Sequence, residues 1–325
     1  MPAATLHITH AELLSHDAGL AEPLRLAMER ELTCTRLGSV LVDLPFYTNI
    51  VKMMLGYWLE MPAENCPFAQ KMHRYHPDLF TWHFLKEARK EAPLSHESRL
   101  AVVAGFLSHL ALDLEIHPLV NWCARRDVIL CGGNESHHHR LTEKYQSLFF
   151  HCELQGHDII GTRRVFTETT RIVDHAAFFR VNPEPPVVRW CTDLLAGFFH
   201  ESAPSMRQFA RWIRAFRHFG FMVSLPWARQ NSEKLGNPAN RERYFENAEF
   251  SFMEHYERAY RRSIELMNLG FEVYERGDFS DEQRDLFLSR ARICNLAEPP
   301  EFGRLPSLPA YRELALEQRG LVARS

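Results

Sequence analysis

The chain has 325 residues, of which 46% are hydrophobic and 24% are charged, and its formal net charge at pH 7 is -3. This composition is that of a globular protein with a large core. The weak negative charge excludes a global electrostatic case for nucleic-acid binding. Histidine is the unusual component, because 18 are present and many lie between His73 and His157. Histidine is the commonest metal ligand and titrates near neutral pH, so a metal site is the first hypothesis.

The cysteines and the N-terminal residues exclude several other classes of protein. The seven cysteines include no Cys-x-x-Cys pair, so neither a disulfide framework nor a cysteine zinc knuckle is indicated. The N-terminal residues lack a basic region followed by an apolar run, so we predict no secretory signal and expect a cytoplasmic protein. No apolar stretch is expected to be long enough to span a bilayer.

Helical periodicity dominates the first half of the chain, and almost no segment alternates with period two. Thr9 and Glu12 match a capping box, which predicts the start of the first helix. Ser95 is a predicted cap for a later helix that runs towards Pro118. Residues 38–42 are predicted to be a short extended segment. The other helices predicted in this half cover residues 48–61, 78–92 and 137–154.

The second half begins with the segment NPEPPV at 182–187, which is typical of a linker. The helices predicted after it cover residues 188–200, 205–219, 241–269 and 280–293. Two of them begin with capping boxes, formed by Ser205 with Gln208 and by Ser280 with Gln283. Residues 296–309 are predicted to be irregular. We therefore predict an all-α protein, with a helical core at 1–181 and a helical elaboration packed on it at 182–325.

The segment AVVAGFLSHLALDLEIHPLV, residues 101–120, is an apolar helix that contains three polar residues four positions apart: His109, Asp113 and His117. Residues four apart lie on one face of a helix, so these side chains form a line. An ionised Asp113 among apolar neighbours costs several kcal/mol unless it is paired or bound to a metal. Two hypotheses follow, which are a buried His–Asp ion pair and part of a metal site.

A second predicted helix repeats this spacing, because His139 and Glu143 are also four apart. The preceding His137 and His138 have no carboxylate at that offset. Taken alone, the three consecutive histidines are compatible with a solvated polar turn. Two helices with such pairs favour a zinc site, because zinc binds imidazole nitrogen and carboxylate oxygen and helix faces hold such ligands rigidly.

Earlier positions offer further ligands. Asp43 lies in the apolar segment VLVDLPFY, where its carboxylate either caps a turn or has a specific partner. His73 and His76 precede the helix predicted at 78–92 and could complete a site. His7 and His10 lie near the N-terminus. Each of these histidines, taken alone, is more often a surface or capping residue than a ligand.

The order of these elements resembles the ligand series of the zinc-dependent phospholipase C family. The matching stretches are ITH, VDLP, the histidine before the helix at 78–92, HLALD, IHP and HRLTE. Members of that family, and the single-strand-specific nucleases of the same fold group, are compact helical bundles around a cluster of zinc ions. The resemblance covers about residues 7–145, so it does not extend to the part of the chain that would select a substrate.

The resemblance implies a multi-helix bundle around a buried metal cluster, with a C-terminal helical extension. It implies two zinc ions that share Asp113. It does not extend to a third ion, because the processed N-terminal amine and Trp of secreted members have no counterpart here. The implied metal ligands are His10, Asp43, His73, His109, Asp113, His117, His139 and Glu143. Asp43 would also orient or deprotonate the attacking water, and His76 is the alternative to His73.

The implied activity is a phospholipase C-like hydrolysis of a phosphodiester, with a phospholipid substrate and peripheral membrane contact as expectations. The amphipathic segment at 205–221 has an aromatic face and an arginine face. Such a pattern is typical of a helix packed on a core, and also of one that contacts anionic lipid. Three alternatives remain open: a nuclease of the same fold, a non-catalytic helical protein with a structural metal, and an enzyme that uses iron or manganese.

Overall fold

A computed structural model describes four parts of the chain, which are residues 3–49, 66–155, 181–223 and 238–296. Their α-helices, numbered in chain order, are α1 (Ala3–Leu14), α2 (Glu22–Arg30), α3 (Leu32–Val40), α4 (Pro67–Gln70), α5 (Pro77–Arg89), α6 (His96–Cys131), α7 (Glu135–Gln155), α8 (Pro185–Phe199), α9 (Met206–Val223), α10 (Pro238–Tyr244), α11 (Phe252–Arg276) and α12 (Asp281–Ala291). A 3-10 helix follows α3 at Leu44–Asn49, and a π-helix continues α4 at Lys71–Tyr75. No strand occurs in these four parts, so the predicted all-α class is confirmed.

The 36-residue helix α6 is the central helix of the described structure. Ser95 caps it as predicted, because the Ser95 side chain accepts a hydrogen bond from the backbone N–H of Ser98. Helices α2, α3, α7 and α11 pack along α6. One apolar cluster surrounds its first half and a second surrounds its later half. The line of polar residues on α6 lies where these two clusters meet.

Helix α6 is long and apolar enough to cross a membrane by length and composition, which corrects the expectation that no stretch is. Its most apolar 18-residue window is 89% buried inside the protein. Packing against the other helices therefore accounts for its apolar character.

The predicted end of this helix at Pro118 is wrong, because α6 continues to Cys131. A proline inside a helix removes one backbone hydrogen bond and costs roughly 3 kcal/mol. Pro118 and its neighbours Ile116, Leu119 and Val120 are all buried. Burial of each large apolar side chain stabilises the fold by about 1.5–3 kcal/mol, so the packing of this turn outweighs the break.

The helix predicted at 241–269 is divided into α10 and α11. Between them, the side-chain oxygen of Asn247 accepts hydrogen bonds from the backbone N–H groups of Glu249 and Phe250. An asparagine that bonds to the backbone ahead of it stabilises a turn in competition with a helix. This local bond, which helical periodicity does not register, explains the interruption.

Two boundaries near the N-terminus also differ from prediction. Helix α1 spans Ala3–Leu14, so Thr9 lies inside it and does not cap it. The Thr9 hydroxyl instead lies 3.0 Å from His151 Nε2. Residues 38–42 are not extended, because α3 runs to Val40 and a turn follows.

The linker predicted at 182–187 is shorter than expected, because α8 begins at Pro185, and most of the remaining predictions are confirmed or lie outside the described residues. Helices α5, α7, α8, α9 and α12 confirm those predicted at 78–92, 137–154, 188–200, 205–219 and 280–293. Ser205 and Ser280 cap α9 and α12 as predicted. Residues 50–61 and 297–309, which make up most of the helix and the tail predicted there, lie outside the described parts. The division of the chain at residue 181 stays a prediction.

Helix α9 buries its aromatic face and exposes its arginine face. The buried residues are Phe209, Trp212, Ile213 and Phe216. The exposed arginines are Arg207, Arg211 and Arg214. The ring of Phe216 packs edge-on against Tyr47, with 4.9 Å between centroids. Helix α9 therefore lies beside the segment that follows Asp43.

Helices α3 and α6 cross so closely that each presents a glycine to the backbone of the other. A Cβ atom added at Gly105 would collide with a carbonyl oxygen of α3, and one added at Gly38 would collide with a carbonyl oxygen of α6. The crossing brings the Ser39 carbonyl oxygen to 2.8 Å from His109 Nδ1. The two glycines therefore determine how the end of α3 meets the polar line of α6.

We expect Gly105→Ala to destabilise the protein, because the added methyl group meets backbone that moves only if the whole helix moves. Overpacking of this kind costs about 1–3 kcal/mol, against a gain of roughly 1 kcal/mol in helix propensity. Gly270→Ala is the matched control, because its methyl group meets the side chains of Leu107 and Leu85 and no backbone atom is among its nearest neighbours. Urea denaturation should show the larger loss for Gly105→Ala, and equal losses would contradict the close crossing.

Candidate metal centre

Asp113 joins the polar line on α6 to residues from other segments. Asp113 Oδ2 lies 3.1 Å from His109 Nε2, and Asp113 Oδ1 lies 3.7 Å from His117 Nε2. Two more histidines face the same carboxylate, with His7 Nε2 at 3.1 Å and His73 Nε2 at 3.9 Å. Only 5% of the Asp113 side chain is exposed. A buried carboxylate thus faces four imidazole rings.

Asp43 and His73 form a second part of the cluster. Asp43 lies in the turn after α3, where its backbone N–H donates to the carbonyl of Val40. His73 lies in the π-helix, a distortion that is frequent at functional sites, and its Nε2 is 3.2 Å from Asp43 Oδ1. His76 is exposed at the N-terminus of α5. The structure therefore brings His73, and not His76, to Asp43.

His139 and Glu143 on α7 form the third part. Glu143 Oε1 lies 3.3 Å from His139 Nε2 and 3.6 Å from His117 Nε2. The ring centroids of His117 and His139 are 5.5 Å apart. His117 therefore lies between the carboxylates of Asp113 and Glu143, and it connects the pair on α7 to the line on α6.

Three groups of ligand atoms result, of which the first two share His109, and within each group all the atoms lie within 4.8 Å of one another. They are His7 with His109 and Asp113, Asp43 with His73 and His109, and His117 with His139 and Glu143. A tetrahedral ion with bonds of about 2.0–2.1 Å places its ligand atoms about 3.3–3.4 Å apart. The nitrogen–oxygen distances in the cluster, from 3.1 Å to 3.9 Å, are close to that spacing.

Four of the five rings direct Nδ1 away from the carboxylates, towards an oxygen that only accepts hydrogen bonds. His73 donates to the carbonyl of Ala69, and His109 donates to that of Ser39. His117 donates to the carbonyl of Leu296, and His139 donates to the side-chain Oδ1 of Asn121. Nδ1 therefore carries the proton in each ring, and Nε2 of a neutral ring presents a lone pair. Acceptors of this kind orient the histidine ligands of metal sites.

With these tautomers, the rings and carboxylates in the described part of the cluster do not form a satisfactory set of hydrogen bonds with one another. Neutral rings direct lone pairs at carboxylates, whereas charged rings would place several cations in one buried site. Nδ1 of buried His7 has no hydrogen-bond partner among the described residues. A cation among these atoms would satisfy nitrogen and oxygen together, so the donor set fits a divalent metal ion.

The charges of the cluster keep its carboxylates ionised. Burial raises the pKa of Asp113, but the imidazoles of His117 and His109 outweigh burial and hold that pKa well below its usual value. Burial likewise raises the pKa of Glu143, and His139 and His117 lower it further than burial raises it. Against the effect of burial, Asp113 and Glu143 raise the pKa of His117 to about 10. A bound cation would replace the His117 proton.

The structure corrects the assignment of His10 as a ligand. Its Nδ1 is 3.1 Å from the Tyr256 hydroxyl and its Nε2 is 2.8 Å from the Ser263 hydroxyl. Because Ser263 donates its own proton to the carbonyl of Ala259, His10 Nε2–H donates to Ser263 and Nδ1 accepts from Tyr256. Both ring nitrogens are therefore used. Burial, with a smaller effect of His7, lowers the pKa of His10 to about 3, which keeps the ring neutral.

His7 takes the place that the resemblance gives to His10. It lies about one turn earlier in α1, and its ring stacks on that of His109 with 3.9 Å between centroids. Burial lowers the pKa of His7, and His109 lowers it further. Sequence periodicity does not choose between the two histidines, because both are buried in a helix that is covered on several faces. The only available signal was the presence of a second histidine three residues before His10.

One side of the cluster is enclosed and the other reaches the surface. The His109 side chain is 0% exposed, whereas 27% of the His139 side chain and 18% of the Asp43 side chain are exposed. A cavity of about 10 Å³ beside Asp113 and His117 has room for about one water molecule. A larger cavity of about 480 Å³ lies between α5 and α8 and contains no residue of the cluster.

His10 allows a prediction about pH, because its pKa is about 3 in the folded protein and near 6.5 in an unfolded chain. Below about pH 6.5 the unfolded chain binds a proton at His10, whereas the folded protein does not. The contribution of the neutral His10 ring to the free energy of unfolding is therefore complete above that pH. It falls towards pH 3 by about 1.4 kcal/mol per pH unit. Urea denaturation between about pH 6 and pH 4 should show a shallower decline for His10→Gln than for wild type, and parallel declines would contradict the neutral ring.

A comparison of two nearby histidines tests the ligand assignment. We expect His73→Ala to reduce the divalent metal retained after dialysis, because His73 faces both Asp43 and Asp113. His76→Ala should retain as much metal as wild type, because His76 is exposed and lies outside the cluster. Elemental mass spectrometry of the three proteins measures the difference. Equal metal contents would show that His73 is not a ligand.

Comparison with known proteins adds no further assignment. No protein-family model, no curated protein and no solved structure matches the chain. The case for a function therefore rests on the arrangement of the residues described above.

Proposed function

We propose that the protein is a zinc-dependent phosphodiester hydrolase of the phospholipase C type. The proposal rests on one observation, which is the buried Asp113 carboxylate that faces four imidazole rings. Zinc binds imidazole nitrogen and carboxylate oxygen together, whereas magnesium and calcium prefer sites built from oxygen alone. The outward Nδ1–H bonds turn Nε2 inward, where it would bind an ion in place of any proton that it carries.

Two zinc ions that share Asp113 would use the whole set of ligands. Beside Asp113, the two ligand sets are Asp43, His73 and His109 for one ion, and His117, His139 and Glu143 for the other. His7 adds a further nitrogen next to Asp113. When bound, such ions lower the pKa of a coordinated water and polarise a phosphodiester oxygen.

Asp43 is the carboxylate best suited to accept the proton of the attacking water. Its side chain is 18% exposed, compared with 14% for Glu143 and 5% for Asp113. His73 Nε2, 3.2 Å from Asp43 Oδ1, fixes its orientation. Burial raises the pKa of Asp43, but His109 and His73 hold it below its usual value, so the group is ionised at neutral pH.

The proposed reaction adds one water molecule across a phosphorus–oxygen bond of the diester. The water oxygen bonds to phosphorus while the Asp43 carboxylate takes up its proton. The bond from phosphorus to the leaving alcohol breaks, and the alcohol oxygen takes up the proton that Asp43 received, so that Asp43 is ionised again. The products are an alcohol and a phosphomonoester.

The open side of the cluster supports a catalytic role over a structural one. A structural zinc is enclosed by four protein ligands, whereas a catalytic zinc keeps a position for water or substrate. Here the exposed edges of Asp43 and His139 leave one side of the cluster accessible from solvent. The enclosed side, around His109, holds the ligands in place.

A phospholipid is the substrate class that the motif resemblance suggests, and the surface beside the cluster is compatible with it. Phe46 is 37% exposed, and its ring lies 5.7 Å from that of His73. Helix α9 packs next to this segment and exposes arginines. Exposed apolar and basic side chains together favour contact with an anionic headgroup surface.

The proposal predicts that Asp43→Asn lowers phosphodiester turnover by about 10²–10⁴-fold, the usual contribution of a general base. Asp193→Asn is the control, because Asp193 is an exposed carboxylate outside the cluster. The zinc-loaded proteins should be assayed on a short-chain phosphatidylcholine and on single-stranded DNA. Loss of phosphatidylcholine cleavage in Asp43→Asn alone supports the proposal. Cleavage of DNA alone would make the protein a nuclease, and no cleavage of either substrate by wild type would contradict the proposed function.

A further inference from the structure

A residue near the C-terminal end of the described chain contacts two of the candidate ligands through its main chain. Leu296 donates its backbone N–H to the carbonyl of His73 at 2.7 Å. Its carbonyl oxygen accepts a hydrogen bond from His117 Nδ1. His73 and His117 belong to different groups of ligand atoms, so Leu296 connects the two parts of the cluster from the outside.

The Leu296 side chain fixes this contact. It is fully buried in the apolar cluster around the first half of α6. A side chain packed in a close-packed interior has little freedom, so the main-chain groups attached to it are held in place. The position of Leu296 is therefore set by the core of the protein.

The segment from Arg292 to Leu296 is also held at its start. Arg262 on α11 donates from NH2 to the Arg292 carbonyl at 3.1 Å. The same side chain donates from NH1 to Glu115 Oε1 at 2.8 Å, and Glu115 lies on α6 between Asp113 and His117. Arg262 thus ties the beginning of the segment to the helix that contains the ligands, while Leu296 ties its end to them.

We propose that Leu296 is a positioning residue of the metal centre, held in place by Arg262. Its carbonyl accepts the Nδ1–H bond of His117, which orients the ring so that Nε2 faces Asp113 and Glu143, where it would bind an ion. Its N–H holds the π-helix turn that contains His73. The C-terminal part of the chain thereby completes a site whose ligands all come from residues 7–143. The inference rests on the proposed function only in requiring that the cluster binds metal.

Two arginines on α11 provide a matched test. Arg262→Gln removes the bond to the Arg292 carbonyl and one contact with Glu115. Arg258→Gln removes the other arginine contact with Glu115, at 3.6 Å, together with a contact to His255 Nδ1, and leaves the Arg292 bond intact. The full-length variants should be titrated with zinc alone in competition with a chromophoric chelator. Loss of an outer partner of a ligand weakens metal binding by about 10–100-fold, so we expect a weakening within that range for Arg262→Gln and none for Arg258→Gln.

A second pair of variants changes Leu296 itself. Leu296→Pro removes the N–H that bonds to His73, whereas Leu296→Ala keeps both main-chain bonds and loses side-chain packing. Leu296→Pro should weaken zinc binding more than Leu296→Ala does. If Leu296→Pro does not fold, the arginine pair decides the question.

The possible results separate this inference from the proposed function. Wild-type zinc affinity in both Arg262→Gln and Leu296→Pro would overturn the positioning role while leaving the metal site intact. Equal weakening in Arg258→Gln and Arg262→Gln would also overturn it, because the effect would then come from the charge at Glu115. A wild-type protein that binds no zinc would instead overturn the metal site itself.

Discussion

The structure depends on how the Asp113 carboxylate is neutralised in the middle of an apolar helix. A buried, ionised carboxylate costs several kcal/mol unless opposite charges or bonds compensate for it. Asp113 lies where the two apolar clusters meet, and four imidazole rings converge on it. Because most of these rings donate Nδ1–H outward, they turn Nε2 towards Asp113. A metal ion in place of the Nε2 protons would bond to the nitrogens and to the carboxylate together, which is the basis of the proposed metal centre.

The fold brings these side chains together from separate segments, and specific contacts hold each segment in position. The glycines of α3 and α6 allow the backbone of Ser39 to reach His109. The π-helix presents His73, and α7 adds His139 and Glu143 next to His117. The main chain of Leu296, which is distant in sequence, contacts His73 and His117. The closely packed interior thus serves as a rigid frame for a polar site.

Those parts of the site that lie on one helix face could be predicted from sequence. Four-residue spacing alone identifies the line from His109 to His117 and the pair on α7, and the structure brings both together. The choice of His7 over His10 could not be predicted, because both are buried in α1 and periodicity does not separate them. The contact of Leu296 is made by backbone atoms, which every residue type has, so the sequence does not indicate it. The continuation of α6 past Pro118 depends on tertiary packing that outweighs local preference.

The central claim is that metal ions, and not hydrogen bonds, hold the cluster around Asp113 together. Anomalous X-ray scattering from zinc-treated crystals, measured on both sides of the zinc absorption edge, tests it most directly. The account predicts anomalous peaks beside Asp113, with one between it and His109 and another near His117 and Glu143. A map without such peaks, in which the Nε2 atoms lie within hydrogen-bond distance of the carboxylates, would contradict the claim.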